Sequence, residues 1–137
     1  LYESSVEKVL LTQEIHFLEE YIALMQTRMG DQIDVDFVTE IDFPAKIAPQ
    51  LFFPLVENAF KYVSEKEGTI FIFIKSERDK VTCEVKNSFA KNKKNNYGGV
   101  GLANLKRRLE LLYPQLFELS LDQDDSFYYA KISLRNQ

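Results

Sequence analysis

Two short runs hold the residue types from which a binding or catalytic site can be built. The first is Pro54-Leu-Val-Glu57-Asn58-Ala-Phe-Lys61-Tyr62. On a helix, Glu57 and Lys61 stand four residues apart on one face, with Asn58 one step round. A carboxylate and an ammonium so placed are ordinarily an exposed ion pair of little energetic weight. Asn58 is the unusual member, a mediocre helix former set in an apolar run between Val56 and Phe60. A buried amide has to be hydrogen-bonded, and a ligand or a metal is one way to do it. On composition alone, a purely structural amide is the commoner outcome.

The second run is Gly98-Gly99-Val100-Gly101-Leu102-Ala103-Asn104. Glycines ahead of a helix let backbone N–H groups face an anion, and the helix dipole favours negative charge there. Alone this is weak, because glycines often do no more than turn the chain. Lys91, Lys93 and Lys94 beside it favour phosphate, and their ordinary fate is a solvated loop. Asn87, at the end of a strand on the same face as Val85 and Cys83, can take a hydrogen bond at the mouth of a pocket; Asn-Ser after a strand is equally ordinary turn chemistry. His16 is read as a boundary histidine on a packed helix, and Cys83 as a small core residue.

The rest of the chain bounds these options. It has 137 residues, one domain's worth, with 45% hydrophobic and 13% aromatic residues, enough for a packed core. Its net charge of -4 disfavours nucleic acid, whose phosphates need a basic stripe. One Cys and one His leave no disulfide framework, no thiolate cage and no multi-histidine metal site. No apolar run of membrane-spanning length occurs, and the chain starts at Leu1, so it reads as an excised or processed piece.

The elements that must position those residues follow from periodicity. Leu11, Ile15, Leu18, Ile22, Met25 and Met29 make a helical stripe, with Thr12 as N-cap, Glu14 in the first turn complementing the dipole, and Gly30 as the stop. The stripe's regularity also allows a partner helix. Ile33, Val35 and Phe37 alternate with Asp34 and Asp36 as a half-buried strand. A second helix is predicted from about Pro49 to Val63, with a kink or its true start near Pro54. Thr69–Ser76 and Lys80–Asn87 form a hairpin. Residues 88–97 form a mobile loop, Leu102–Leu112 a third helix ended by Pro114, and 117–121 with 127–134 a last antiparallel pair around Asp122–Asp125. The order implies an α+β domain, a two-layer α/β sandwich with helices on one face of a mixed, mostly antiparallel sheet.

In this order the motifs resemble the ATP-binding catalytic domain of sensor histidine kinases, closest to the LytS-type branch of the GHKL (Bergerat) superfamily. The likeness runs from about Leu11 to Leu134. PLVENAFKY is similar to that family's N box, and GGVGLANLKRRLELLYP to its second glycine box with the N-x-x-x-R-L continuation. The resemblance implies that residues 1–30 are a connecting helix from a dimerisation and phosphoacceptor region, and 31–137 the ATP-binding domain. It makes Asn58 the Mg²⁺ ligand through its carbonyl oxygen, and Glu57 the group that orients or deprotonates the phosphate acceptor. Lys61 neutralises phosphate charge, and Tyr62 lies against the nucleotide. Asn87, Gly99, Gly101, Leu102 and Asn104 complete the ATP site, and residues 88–97 are its lid.

It further implies a cytoplasmic domain of a membrane sensor protein, a homodimer at full length, with a response regulator as partner. The phosphoacceptor histidine lies outside this sequence, so the chain alone binds nucleotide without autophosphorylating. The sequence departs from the family where an Asp and two spaced glycines are usual, and reads Asn87, Phe89 and Lys91. A neutral hydrogen bond in place of a charge-assisted one predicts about tenfold weaker binding. The departure also frames two rivals: a degenerate site in a docking, pseudokinase-like module, and a GHKL relative that hydrolyses ATP.

Overall fold

In the computed structural model, which describes residues 7–90 and 99–135, the first helix α1 (Leu11–Met29) follows a two-residue strand β1 (Val9–Leu10). Leu11, Leu18 and Ile22 bury the predicted stripe, and Ile15, Met25 and Met29 pack against its margin. Thr12 is not the cap. The cap is Leu10, two residues earlier, with the Leu11 N–H bonding to the Ala45 carbonyl at 2.9 Å and the Gln13 side chain reaching back to the Leu10 N–H at 3.0 Å. Gly30 ends α1 with φ of +73°, a conformation that favours glycine. His16 lies on the solvent side, 4.0 Å from Glu19 and 3.6 Å from Glu20, and not at the boundary of the core.

The sheet starts with β2 (Ile33–Ile41), and a short β3 (Lys46–Ile47) then pairs antiparallel with β1. α2 (Phe53–Tyr62) begins beside Pro54, so the proline marks a helix start, where its missing N–H costs nothing; residues 49–52 are an irregular lead-in. β4 (Gly68–Ser76) and β5 (Lys80–Ser88) form the predicted hairpin, closed by the Glu77 N–H on the Lys80 carbonyl at 2.8 Å. α3 (Gly99–Leu112) opens three residues before the predicted start, taking Gly99 and Gly101 into its first turn. β6 (Phe117–Gln123) and β7 (Phe127–Arg135) close the chain, with the turn shortened to 124–126.

The five strands lie in the order β2-β4-β5-β7-β6, parallel between β2 and β4 and antiparallel elsewhere. Alternation decides their faces: Ile70, Ile72 and Ile74 of β4, and Val81, Cys83 and Val85 of β5, point into one core with Ala130, Ile132 and Leu134 of β7. The three helices cover that face through Leu18, Leu55, Ala59, Leu105 and Leu109, all at most 3% exposed. Each such aliphatic side chain larger than alanine contributes about 1.5–3 kcal/mol on burial. Gly68 sits where α2 returns to β4; a Cβ there would fall 2.2 Å from the Ser64 carbonyl oxygen, so no other residue fits without moving backbone. The architecture is the expected α+β sandwich, mixed and mostly antiparallel. No helix among the described residues is long and apolar enough to cross a membrane.

Candidate functional site

The site is organised around α2, and its start is fixed by a residue that sequence reading assigned another task. Glu14 is not spent on its own helix dipole. Its carboxylate is buried at 3% exposure and forks onto the lead-in of α2, accepting from the Gln50 N–H at 2.8 Å and the Phe52 N–H at 3.2 Å. Burial raises its pKa; the two backbone bonds and the Arg108 guanidinium pull the other way. The bonds hold Gln50 at φ of +55°, a costly conformation for a side-chain-bearing residue. From just past the end of α3, the Tyr113 hydroxyl accepts the Ala48 N–H at 3.0 Å, and Arg108 also acts electrostatically on Tyr113. The signal for Glu14 was available, since it lies three residues after Leu11 and four before Leu18, on the buried stripe itself.

Further along α2 the sequence-nominated residues separate. Glu57 and Lys61 are exposed and make no ion pair with each other; the Lys61 Nζ lies 5.4 Å from the Tyr62 ring centroid. Asn58, by contrast, is 7% exposed, and its Nδ2 is enclosed with no hydrogen-bond partner. Tyr62, one turn on, meets Tyr128 of β7 edge to face, at 6.1 Å between ring centroids. Tyr128 is the cross-strand partner of Asn87, which is fully buried. The Asn87 amide donates through Nδ2 to the Ser88 carbonyl at 3.0 Å, and its Oδ1 is enclosed and unpaired. The same Ser88 carbonyl receives the Ser64 N–H at 3.2 Å, which ties the end of α2 to β5.

Leu102 is buried in the core, whereas Gly99, Gly101 and Asn104 are exposed on α3, which packs against α2. A Cβ at Gly101 would meet nothing within 4 Å, so packing in the fold does not demand a glycine there, and the space stays open to an approaching group. Lys91, Lys93, Lys94 and Gly98, with most of the expected lid, lie outside the described residues. Phe89 is the residue that sequence reading noted only as a departure. Its ring stacks on Tyr128 at 4.2 Å and 18° between planes, and both are buried.

No family model matches the chain, and no curated protein matches it. Solved structures do. The catalytic domain of histidine kinase ThkA, in a nucleotide-free form, superposes with a TM-score of 0.67 at 18% identity, over 94% of this chain and 95% of that one. This chain has the histidine kinase catalytic fold. The cytoplasmic segment of histidine kinase QseC gives a TM-score of 0.61 at 15% identity, covering 97% of this chain and 80% of that one. ThkA in complex with response regulator protein TrrA gives 0.66 at 16% identity, covering 95% and 42%.

Within the histidine kinase catalytic fold, two polar atoms at Asn58 and Asn87 are held out of water and left without partners. Buried polar groups are paired in the great majority of cases, and an unpaired one forfeits about 1–3 kcal/mol. Here the cost is borne twice, by residues on facing elements α2 and β5. The enclosed Oδ1 of Asn87 can accept from an exocyclic amine; at Asn58 the enclosed atom is the donor Nδ2, and the other amide atom, Oδ1, is the one able to offer a hard oxygen to a cation. Among the described residues no group of three or more His, Cys, Asp or Glu side chains is placed to hold a metal. A cation here would therefore draw most of its ligands from phosphate and water, as Mg²⁺ commonly does.

Proposed function

We propose that the chain is the catalytic ATP-binding domain of a two-component sensor histidine kinase. The observation that carries this reading is the unpaired amide pair Asn58 and Asn87 within the histidine kinase catalytic fold. Asn87 reads the adenine amino group through its free Oδ1, its Nδ2 being already committed to Ser88. Asn58 supplies an oxygen ligand to Mg²⁺, which when bound neutralises phosphate charge. Tyr62 borders the nucleotide, Lys61 faces its phosphates from the exposed side of α2, and Gly99, Gly101, Leu102 and Asn104 form the flank on α3. Glu57 projects into solvent, where an incoming imidazole has access, and accepts its proton as the imidazole nitrogen bonds to the γ-phosphorus of ATP and the bond to the β–γ bridging oxygen breaks, releasing ADP.

In this reading the acceptor histidine belongs to another region, because His16 lies on α1, the helix that resembles the connection leading into the domain, and stands close to Asn58 in sequence. In this reading residues 1–30 connect residues 31–137 to that region. The whole protein is LytS-like, dimeric and membrane-anchored, with this domain in the cytoplasm, and its phosphorylated histidine serves a cognate response regulator. A complex of that kind is known for ThkA with TrrA.

A thermal-shift titration with ATP, with and without Mg²⁺, tests it. Ligand at a hundredfold excess over Kd raises stability by about 2.7 kcal/mol, a readily seen shift. A Mg²⁺-dependent rise in the wild type that is absent in Asn58→Ala is expected; no rise at millimolar ATP overturns the reading. A second reading, a docking module with a degenerate site, draws on the Phe89–Tyr128 stack, which leaves Asn87 with no exposed surface. It predicts no nucleotide response under any condition.

A further inference from the structure

We propose that Phe89 is an intramolecular stand-in for the nucleotide base, stacked on Tyr128 where the base would lie, and that binding exchanges one flat ring for the other. The inference rests on the nucleotide reading above and adds to it a specificity and access residue.

Three observations converge. First, Tyr128 is fully buried between an edge contact from Tyr62 and the parallel face of Phe89, so one face of its ring is taken up by a side chain of the size and shape of a base. Second, Asn87 is directly opposite Tyr128 in the ladder, and the register continues past it, with the Phe89 N–H on the Ser126 carbonyl at 3.1 Å. Side chains two apart on a strand share a face, so Phe89 stands beside Asn87, over the same tyrosine. Third, the Asn87 Oδ1 is sealed without a partner. An acceptor meant for a base and yet shut away from solvent needs a cover that leaves, and the ring beside it is the one that stacks as a base stacks.

The exchange is chemically balanced. Phe89 gives up one ring stack, which an aromatic base restores on Tyr128, while Asn87 gains the hydrogen bond that it lacks. A ligand with phosphates but no base restores neither. Apparent affinity for any base-bearing ligand is therefore lowered by the fraction of molecules in which Phe89 is closed.

The test is calorimetric titration of the whole chain and its Phe89→Ala and Phe89→Leu variants with Mg-ATP, adenosine and Mg-tripolyphosphate. Removing the competing stack is expected to tighten ATP and adenosine by about three- to tenfold, the weight of one aromatic pair, and to leave tripolyphosphate unchanged. Phe89→Leu keeps apolar volume without a flat face, and covers the case in which Phe89→Ala fails to fold. In the wild type, the nuclear Overhauser contact between the Phe89 and Tyr128 rings should vanish at saturating ATP. Unchanged or weaker adenosine binding in a folded variant, equal tightening of tripolyphosphate, or a ring contact that persists with ATP bound each overturns the proposal while the nucleotide reading stands. No Mg-ATP binding by wild type or variants removes both.

Discussion

Ahead of α2 the N–H groups of Ala48, Gln50 and Phe52 all end on side chains sent from α1 and from the residue that follows α3, whereas further along Asn58, and Asn87 on the adjoining β5, each enclose a polar atom that nothing meets. Both regions are buried, and both lie against the same apolar core. The first is a solved problem of satisfaction: a forked carboxylate and a phenol meet three donors, one of them on a residue held at φ of +55°. The second keeps its polar capacity in reserve. A chain that sends Glu14 across from α1 to satisfy two backbone groups is able to cover its buried donors, and the proposed nucleotide site draws on the contrast with the atoms left unpaired at Asn58 and Asn87. In the proposed function, rigidity at one end would also serve the other, because a helix anchored at its start would hold Asn58 and Tyr62 in place for a ligand.

The comparison breaks most visibly at Glu14. Glu14→Ala orphans the buried Phe52 N–H and the part-buried Gln50 N–H and is expected to cost about 1–4 kcal/mol, the full penalty of about 1–3 kcal/mol applying to the first. Urea unfolding reads this as a lower midpoint with an unchanged slope. Glu14→Gln keeps an acceptor oxygen and should recover a large part of the loss. A Glu14→Ala protein as stable as the wild type would mean that the start of α2 does not depend on this carboxylate.

At the other end the sign reverses. Asn58→Leu exchanges an amide with an unpaired buried nitrogen for an apolar group of similar size, and is expected to raise the stability of the ligand-free protein by about 1 kcal/mol. The same variant should lose the Mg²⁺-dependent ATP shift. Gain of stability with loss of binding is the signature of a polar group kept for a ligand. Loss of stability would instead place Asn58 among the groups that the fold itself uses.

These two ends were unequally legible before the fold was known. Asn58 stood out because an amide inside the run Val56 to Phe60 contradicts the periodicity around it, and the contradiction was local. The stripe of α1 and the β4–β5 hairpin were readable for the same reason, since their periods are carried by near neighbours. For Glu14 the stripe signalled burial but not the task, because its partners are backbone N–H groups 36 and 38 residues away, and backbone groups leave no trace in residue types. The β1–β3 pair, two residues on each side, is too short to show any period. α3 was begun late because Gly99 and Gly101 read as helix breakers, while a first turn tolerates them. The Phe89 stack needed the register that sets Asn87 against Tyr128, which alternation alone does not supply.

The smallest effect sharpens the comparison with a second carboxylate. Asp124 also accepts a fork of bonds, from the Ser126 N–H at 2.8 Å, the Phe127 N–H at 2.7 Å and the Tyr129 hydroxyl at 2.7 Å, but in an exposed turn. Its pKa is lowered, by the Ser126 backbone bond first, then by Tyr129 and Phe127, whereas burial raises that of Glu14 despite its own two bonds. The linkage signs are therefore opposite. As pH falls through the raised value of Glu14 toward the ordinary glutamate value, the folded state takes up its proton before the unfolded state does, and the wild type should gain stability relative to Glu14→Gln. As pH falls further, from the ordinary aspartate value through the lowered value of Asp124, the unfolded state takes up the proton first, and the wild type should lose stability relative to Asp124→Asn. Denaturation midpoints of the three proteins across the acid range distinguish the two slopes. A common sign would mean that hydrogen bonding outweighs burial at Glu14, and that its carboxylate is held ionised as firmly as the one in the turn.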